Sequence, residues 1–125
     1  MTGNRLVTIP TVDHGLVAVP EPAWCTGHGW QPNPYLADVT HNSARVRASA
    51  ATAAYGLVEV MRARITHAPY AVLQPEPHPL VSVRLDVALD LDPADALKVV
   101  QGLRVAALRL EKVAAEAARL RGERL

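Results

Sequence analysis

The chain has 125 residues, 50% of them apolar, a single cysteine and a formal net charge of +1. That is enough for one ordinary domain with a real core, but it excludes an internal disulfide framework and any bulk electrostatic case for nucleic acid. No stretch approaches the ~20 apolar residues of a membrane span, and M-T-G-N-R-L-V-T-I-P at the N-terminus lacks a secretory leader's apolar run. A cytoplasmic protein with no membrane partner is therefore expected.

Residues 5–9 (R-L-V-T-I) and 15–19 (G-L-V-A-V) are short and rich in β-branched residues, and Pro10 and Pro20 are expected to close them. They predict two strands joined by T-V-D-H-G, where Asp13 and Gly15 supply turn chemistry. Residues 20–35 carry Pro20, Pro22, Pro32 and Pro34, a density that leaves an irregular loop. Residues 37–41 and 44–48 are short strand candidates. Over 55–67, Leu57, Val58, Met61 and Ile65 fit a helical face, but alternation fits as well, and the flanking Gly56 and T-H-A-P favour a strand. Pro75, Pro77 and Pro79 mark an extended connector. Residues 80–90 alternate Val81, Val83, Leu85, Val87 and Leu89 with polar or small residues, predicting a strand with one buried face.

A long helix is predicted over 92–122. Asp92 suits the N-cap, Pro93 the first helical position and Asp95 the first turn, while Arg119, Arg121 and Gly122 suit the end. At 1.5 Å per residue it spans ~45 Å, longer than the ~17–20 Å of an ordinary strand. Ala96, Val99, Leu103, Ala106, Leu110, Val113, Ala117 and Leu120 recur at alternating spacings of three and four. This seam predicts a homodimer, with Leu97, Val100 and Leu108 widening the stripe so that one face takes the sheet and another a second copy. The expected fold is α+β: a single domain over 1–125, with a small, mostly antiparallel β-sheet and one long C-terminal α-helix.

The proline-rich loop holds the candidate site. Its pattern is H14-x10-C25-x2-H28-x12-H41. A two-residue gap lets Cys25 and His28 grip one ion, and the gap before His41 lies in the range of small zinc modules. His14 or Glu21 would be the fourth ligand, and Asp38 a further carboxylate. A loop unable to form secondary structure needs another source of order, which Zn²⁺ would supply. Phe is absent, so Trp24 and Trp30 are expected as loop anchors, each able to bury ~150–250 Å². The competing reading makes Cys25 a small buried hydrophobe among surface histidines. His67 and His78, near prolines, read as surface residues. Arg45, Arg47, Arg62, Arg64 and Arg84 would share one sheet face, read as a solvated face balanced by Glu59, Asp86 and Asp90.

The order strand, D-H-G, strand, P-x-W-C-x-G-H, D-V-T-H-x-S resembles a family of small actinobacterial (Streptomyces-type) proteins of unknown function. Trp24, Cys25, His28, Asp38, His41 and Leu91-Asp92-Pro93 through Ala96 carry the resemblance. It implies no established activity. Members of that family carry a second cysteine four places before the W-C cysteine, where this chain has Glu21, which leaves Glu21 or His14 as the replacement ligand.

The leading expectation is a non-enzymatic regulatory or adaptor module, homodimeric through the helix, with a structural zinc site and room for an unidentified protein partner. The alternatives are a zinc hydrolase using Cys25, His28, His41 and a water, with Glu21 or Asp38 as general base, or a nucleic-acid binder through the sheet arginines. The near-neutral charge and the lack of stacking aromatics on the strands count against the last.

Overall fold

Two hairpins in the chain are built on one turn. In Thr11-Val12-Asp13-His14-Gly15 and in Thr52-Ala53-Ala54-Tyr55-Gly56 the threonine hydroxyl donates to the glycine carbonyl at 2.9 Å. The same oxygen accepts the N–H of His14 or Tyr55 at 3.0 Å. Gly15 (φ 61°) and Gly56 (φ 67°) take the left-handed conformation that closes a three-residue hairpin loop. The surrounding sequence repeats as T-x-x-(H/Y)-G-L-V-x-V. The computed structural model describes residues 5–124, which form two compact units.

The first unit contains residues up to 44 and 65–80. Strand β1 (Arg5–Thr11) pairs antiparallel with β2 (Gly15–Glu21), with Val7 opposite Val19 and Ile9 opposite Val17. Ile9, Val19 and Val39 form its core, packed by Val7, Val17, Leu36 and Tyr70. Pro10 and Pro20 lie inside the strands instead of closing them. A two-stranded ribbon leaves alternate N–H groups facing outward, where a proline removes no ladder bond. The expected strand over 37–41 is replaced by a 3-10 turn at Leu36–Asp38 followed by β3 (His41–Asn42). Local bonds take the backbone there: the Leu36 N–H donates to Asp13 Oδ1 at 2.9 Å, and the Gln31 side chain engages Asp38 O (2.5 Å) and the Thr40 N–H (3.2 Å).

The second unit contains residues 45–64 and those from 81 onward. The strand expected over 44–48 begins later and runs further, as β4 (Val46–Thr52). It pairs antiparallel with β5 (Gly56–His67), so the strand reading of 55–67 holds. The register slips between Ala48, opposite Met61, and Ser49, opposite Glu59. This bulge puts both Val60 and Met61 into the core. The helix-like spacing of Val58, Met61 and Ile65 is the trace of that extra residue.

The strand expected over 80–90 is shorter: β6 (Leu80–Arg84) pairs with β5 and then stops. Its alternating apolar residues gain no buried face, and Val83, Leu85 and Val87 are exposed. Beyond Arg84 the alternation does another job: Leu85, Val87, Leu89 and Leu91, with Val60, Val99 and Leu103, line an open apolar cavity of about 290 Å³.

Helix α1 (Pro93–Leu120) has Pro93 in its first turn and Asp92 at the N-cap position, without a side-chain cap bond. Its end is a Schellman closure on Gly122 (φ 74°), with Glu123 N–H on Ala118 O at 2.8 Å and Gly122 N–H on Arg119 O at 3.1 Å. Ala106, with Val99 and Leu110 beside it, joins Ala48, Ala50, Val60, Met61 and Ala63 in the core. A β-carbon on Gly102 would lie 3.0 Å from Ser49 O and 3.2 Å from Ala50 Cβ, so the helix rides directly on β4. Of the seam, Val113 and Ala117 are also buried, Leu120 is half-buried, and Ala96 and Leu103 are exposed. The described residues thus form antiparallel β structure with one long C-terminal helix, an α+β fold, and no helix among them is long and apolar enough to cross a membrane.

Candidate metal centre

Four side chains of the first unit converge: Glu21 from the end of β2, Cys25 and His28 from the proline-rich loop, and His41 from β3. The loop reaches β3 through Thr26, whose N–H and hydroxyl both donate to Asn42 O, at 2.9 and 3.1 Å. A turn with Cys25 N–H on Pro22 O (3.0 Å) and another with Gln31 N–H on His28 O (3.0 Å) set the intervening backbone. At the far end the Val12 N–H reaches Pro34 O at 3.0 Å. The loop therefore has internal order, which its proline content concealed.

One ligand-type atom from each of the four residues lies within 4.8 Å of all the others. Cys25 Sγ is 3.7 Å from His28 Nε2, and His41 Nδ1 is 3.8 Å from Glu21 Oε1. Bonds of about 2.0–2.3 Å to a tetrahedral zinc imply ligand-to-ligand edges of roughly 3.4–3.6 Å, so these two pairs are close to bridging distance. Glu21 Oε1 and His28 Nε2 stand at 2.5 Å, and an ion between them would have to spread them by roughly 1 Å. Glu21 Oε1, His28 Nδ1 and His41 Nδ1 are buried without an aligned hydrogen bond. Buried polar atoms are seldom left so, and an ion in the cluster would satisfy Glu21 Oε1 and His41 Nδ1, whereas His28 meets Cys25 and Glu21 through its other ring nitrogen, Nε2.

The electrostatics tell the same story. Burial pushes the Glu21 carboxyl up, but hydrogen bonding from Cys25 and the charges of His28 and His41 outweigh it, leaving its pKa below the ordinary range. Burial pushes the Cys25 thiol up, against the Gly27 N–H that donates to Sγ at 3.4 Å. His41, only 2% exposed, is pushed down to about 4, first by burial and then by the neighbouring His28. A neutral imidazole is the form that ligates a metal, and an ion would also hold the sulfur as thiolate.

His14 is not in this group. It is 57% exposed on the β1–β2 turn, 3.1 Å from Asp13. Asp38 is exposed too, and its main chain, not its carboxylate, is engaged by Gln31 and Thr40. Trp24 packs edge-on against His41 with ring centres 6.3 Å apart. Trp30 is 53% exposed and closes the loop with an indole N–H bond to Gly27 O (3.1 Å). The surface reading of His67 is corrected: it lies opposite His41 in the β3–β5 pair, and its Nε2 is 2.6 Å from Glu76 O. Sequence reasoning missed Asn42, whose amide atoms are buried and unpartnered among the described residues, and Arg5, 3.7 Å from Glu21 Oε2. An asparagine after a candidate ligand and an arginine at a strand start carry no such signal.

An α+β domain with a Glu-Cys-His-His cluster able to hold a metal ion is what this geometry defines. Residues 6–119 match a family model described as a domain of unknown function, DUF6907, and the chain belongs to that family. No curated protein and no solved structure matches it.

Proposed function

We propose that the protein is a non-enzymatic interaction module whose proline-rich loop is held by a structural Zn²⁺ on Glu21, Cys25, His28 and His41, and which pairs with a second copy through α1. The observation that carries the metal reading is the convergence of four ligand-type atoms within 4.8 Å, with Glu21 Oε1 and His41 Nδ1 buried and lacking an aligned hydrogen bond. One thiol, two imidazoles and a carboxylate suit zinc better than magnesium or calcium, which prefer all-oxygen shells. Four protein ligands fill a tetrahedron, the mark of a structural site. The one-cysteine variant of the W-C-x-x-H loop fits an intracellular setting, where Cys/His clusters take metal and not disulfides.

A zinc hydrolase is the rival, and one feature favours it. A cavity of about 310 Å³ lined by Arg5, Glu21, Pro22, Ala23 and Cys25 opens beside two of the four ligands. Were Glu21 to leave the ion, a water could take its place with that carboxylate as general base.

Elemental analysis of purified protein should find one equivalent of zinc per chain. In the structural case Cys25→Ser loses the zinc and lowers Tm by roughly 10–20 °C, corresponding to the ~4 kcal/mol a ligand near 1,000 Kd contributes. Substoichiometric metal at every purification would end the metal reading. Glu21→Gln retaining zinc and stability while abolishing a hydrolytic activity would establish the rival.

A further inference from the structure

The outer face of the second unit's sheet gathers positive charge. Arg62 and Arg64 alternate along β5 with the buried Met61 and Ala63, so they point away from the core that α1 covers. Arg45, at the start of this unit, and Ser82 and Arg84 on β6 meet them around an open pocket of about 210 Å³. The face is only partly balanced. Glu59 pairs with Arg62 at 2.8 Å and Arg47 at 3.7 Å, and Asp86 pairs with Arg84 at 3.6 Å, the last pair exposed on both sides. Asp90, the third expected counter-charge, contributes only its carbonyl, to Tyr55 OH. Arg45 and Arg64 have no ion-pair partner among the described residues. Arg64 is half-buried, and desolvation first, then the charges of Arg45 and Arg62, work against its charged form. Guanidinium does not deprotonate in proteins, so that repulsion stays in the fold until an anion relieves it.

We propose that the pocket of Arg45, Arg62, Arg64, Arg84 and Ser82 binds the phosphate group of a small phosphorylated ligand. Guanidinium forks match phosphate oxygens in pairs, and a serine hydroxyl adds a donor. A concave pocket suits a compact oxyanion. No aromatic side chain lines it, so it offers no stacking platform for bases, and the chain's net charge of +1 gives a long polyanion little to follow.

Inorganic phosphate titrated into the purified 125-residue chain at low ionic strength, followed by amide NMR, tests this. The expected result is saturable shifts at residues 45, 62–64 and 82–84. The double variant Arg45→Gln/Arg64→Gln, whose free spectrum should otherwise overlay the wild type, weakens binding at least about tenfold, and the double lysine variant restores part of it. Non-saturating shifts, shifts centred on residues 21–41, or unaltered affinity in the glutamine variant would overturn the proposal. A single-stranded or duplex oligonucleotide binding through the same amides, where phosphate does not, would overturn it in favour of nucleic acid.

Discussion

At Glu21 three groups compete for one carboxylate that is 4% exposed: Arg5 on one oxygen, His28 and His41 on the other. Without a metal the cluster is held by protons and charge, and that makes it acid-labile. His41 shows the sign most clearly, with a native pKa of about 4 against 6.5 for an unperturbed histidine. Above 6.5 both native and unfolded chains keep it neutral, and its contribution is complete. As pH falls from 6.5 the unfolded chain takes the proton first, so stability is lost progressively until about pH 4. The gap corresponds to on the order of 3 kcal/mol. Urea denaturation of the chelator-treated protein at pH 7.5 and 5 should show about two-thirds of this loss, and His41→Gln should flatten it. An equal slope in the variant would mean that another group carries the titration. Cys25, His28 and His41 could be picked out from their spacing alone. Whether His14 or Glu21 completes them could not, because β2 runs past Pro20 and delivers position 21 to the site.

Among the elements, α1 depends on two residues whose roles lie across the second unit. Asp95 reads from sequence as a first-turn charge. In the structure its carboxylate is buried and accepts the N–H groups of Ala53 (2.8 Å) and Ala54 (3.1 Å), clamping the β4–β5 turn. Asp95→Ala should cost roughly 1–2 kcal/mol, since two N–H groups of the exposed turn residues Ala53 and Ala54 exchange a charged acceptor for water, and Asp95→Asn should recover part of it by keeping one acceptor. The readout is the urea midpoint. Gly102 is the second. Alanine there gains about 1 kcal/mol of helix propensity but crowds the Ser49 carbonyl, a backbone atom that cannot turn aside. Gly102→Ala is expected to be net destabilising by about 1 kcal/mol, a Tm drop of roughly 3–5 °C, with Gly102→Val worse. A Tm rise would show that the helix can lift off β4. The bulge at Val60 and Met61 explains why 55–67 carried both periods, since one extra residue breaks a period of two. The T-x-x-(H/Y)-G-L-V-x-V repeat was present in the residue order and would have placed both hairpins at once.

For the whole molecule, the open question is what covers α1. The seam is largely spent internally, because Val99, Ala106 and Leu110 pack on the chain's own core. Leu97 (66% exposed), Leu108 (61%), Val100 and Leu103 form the free apolar flank, and it is this flank that the proposed dimer would use. Light scattering should give a dimer mass, and Leu97→Glu/Leu108→Glu should give a monomer with unchanged helicity. A wild-type monomer across a tenfold concentration range would end the dimer. Truncating from residue 106 would be a poor test, since it removes core residues.

Residue order alone was enough for the α+β class, the long helix with its Pro93 start and Gly122 stop, and three of the four converging side chains, while over 55–67 it only favoured a strand over a helix. These follow from short-range rules: dihedral limits on proline and glycine, periodicity, and spacing along one loop. The choice of Glu21, the division of the helix seam, the early end of β6 and the pocket that sets Ser82 among the arginines already expected on one face were decided only in three dimensions. Each depends on which strands pair and in what register, and a shift of one residue there turns every side chain to the other face.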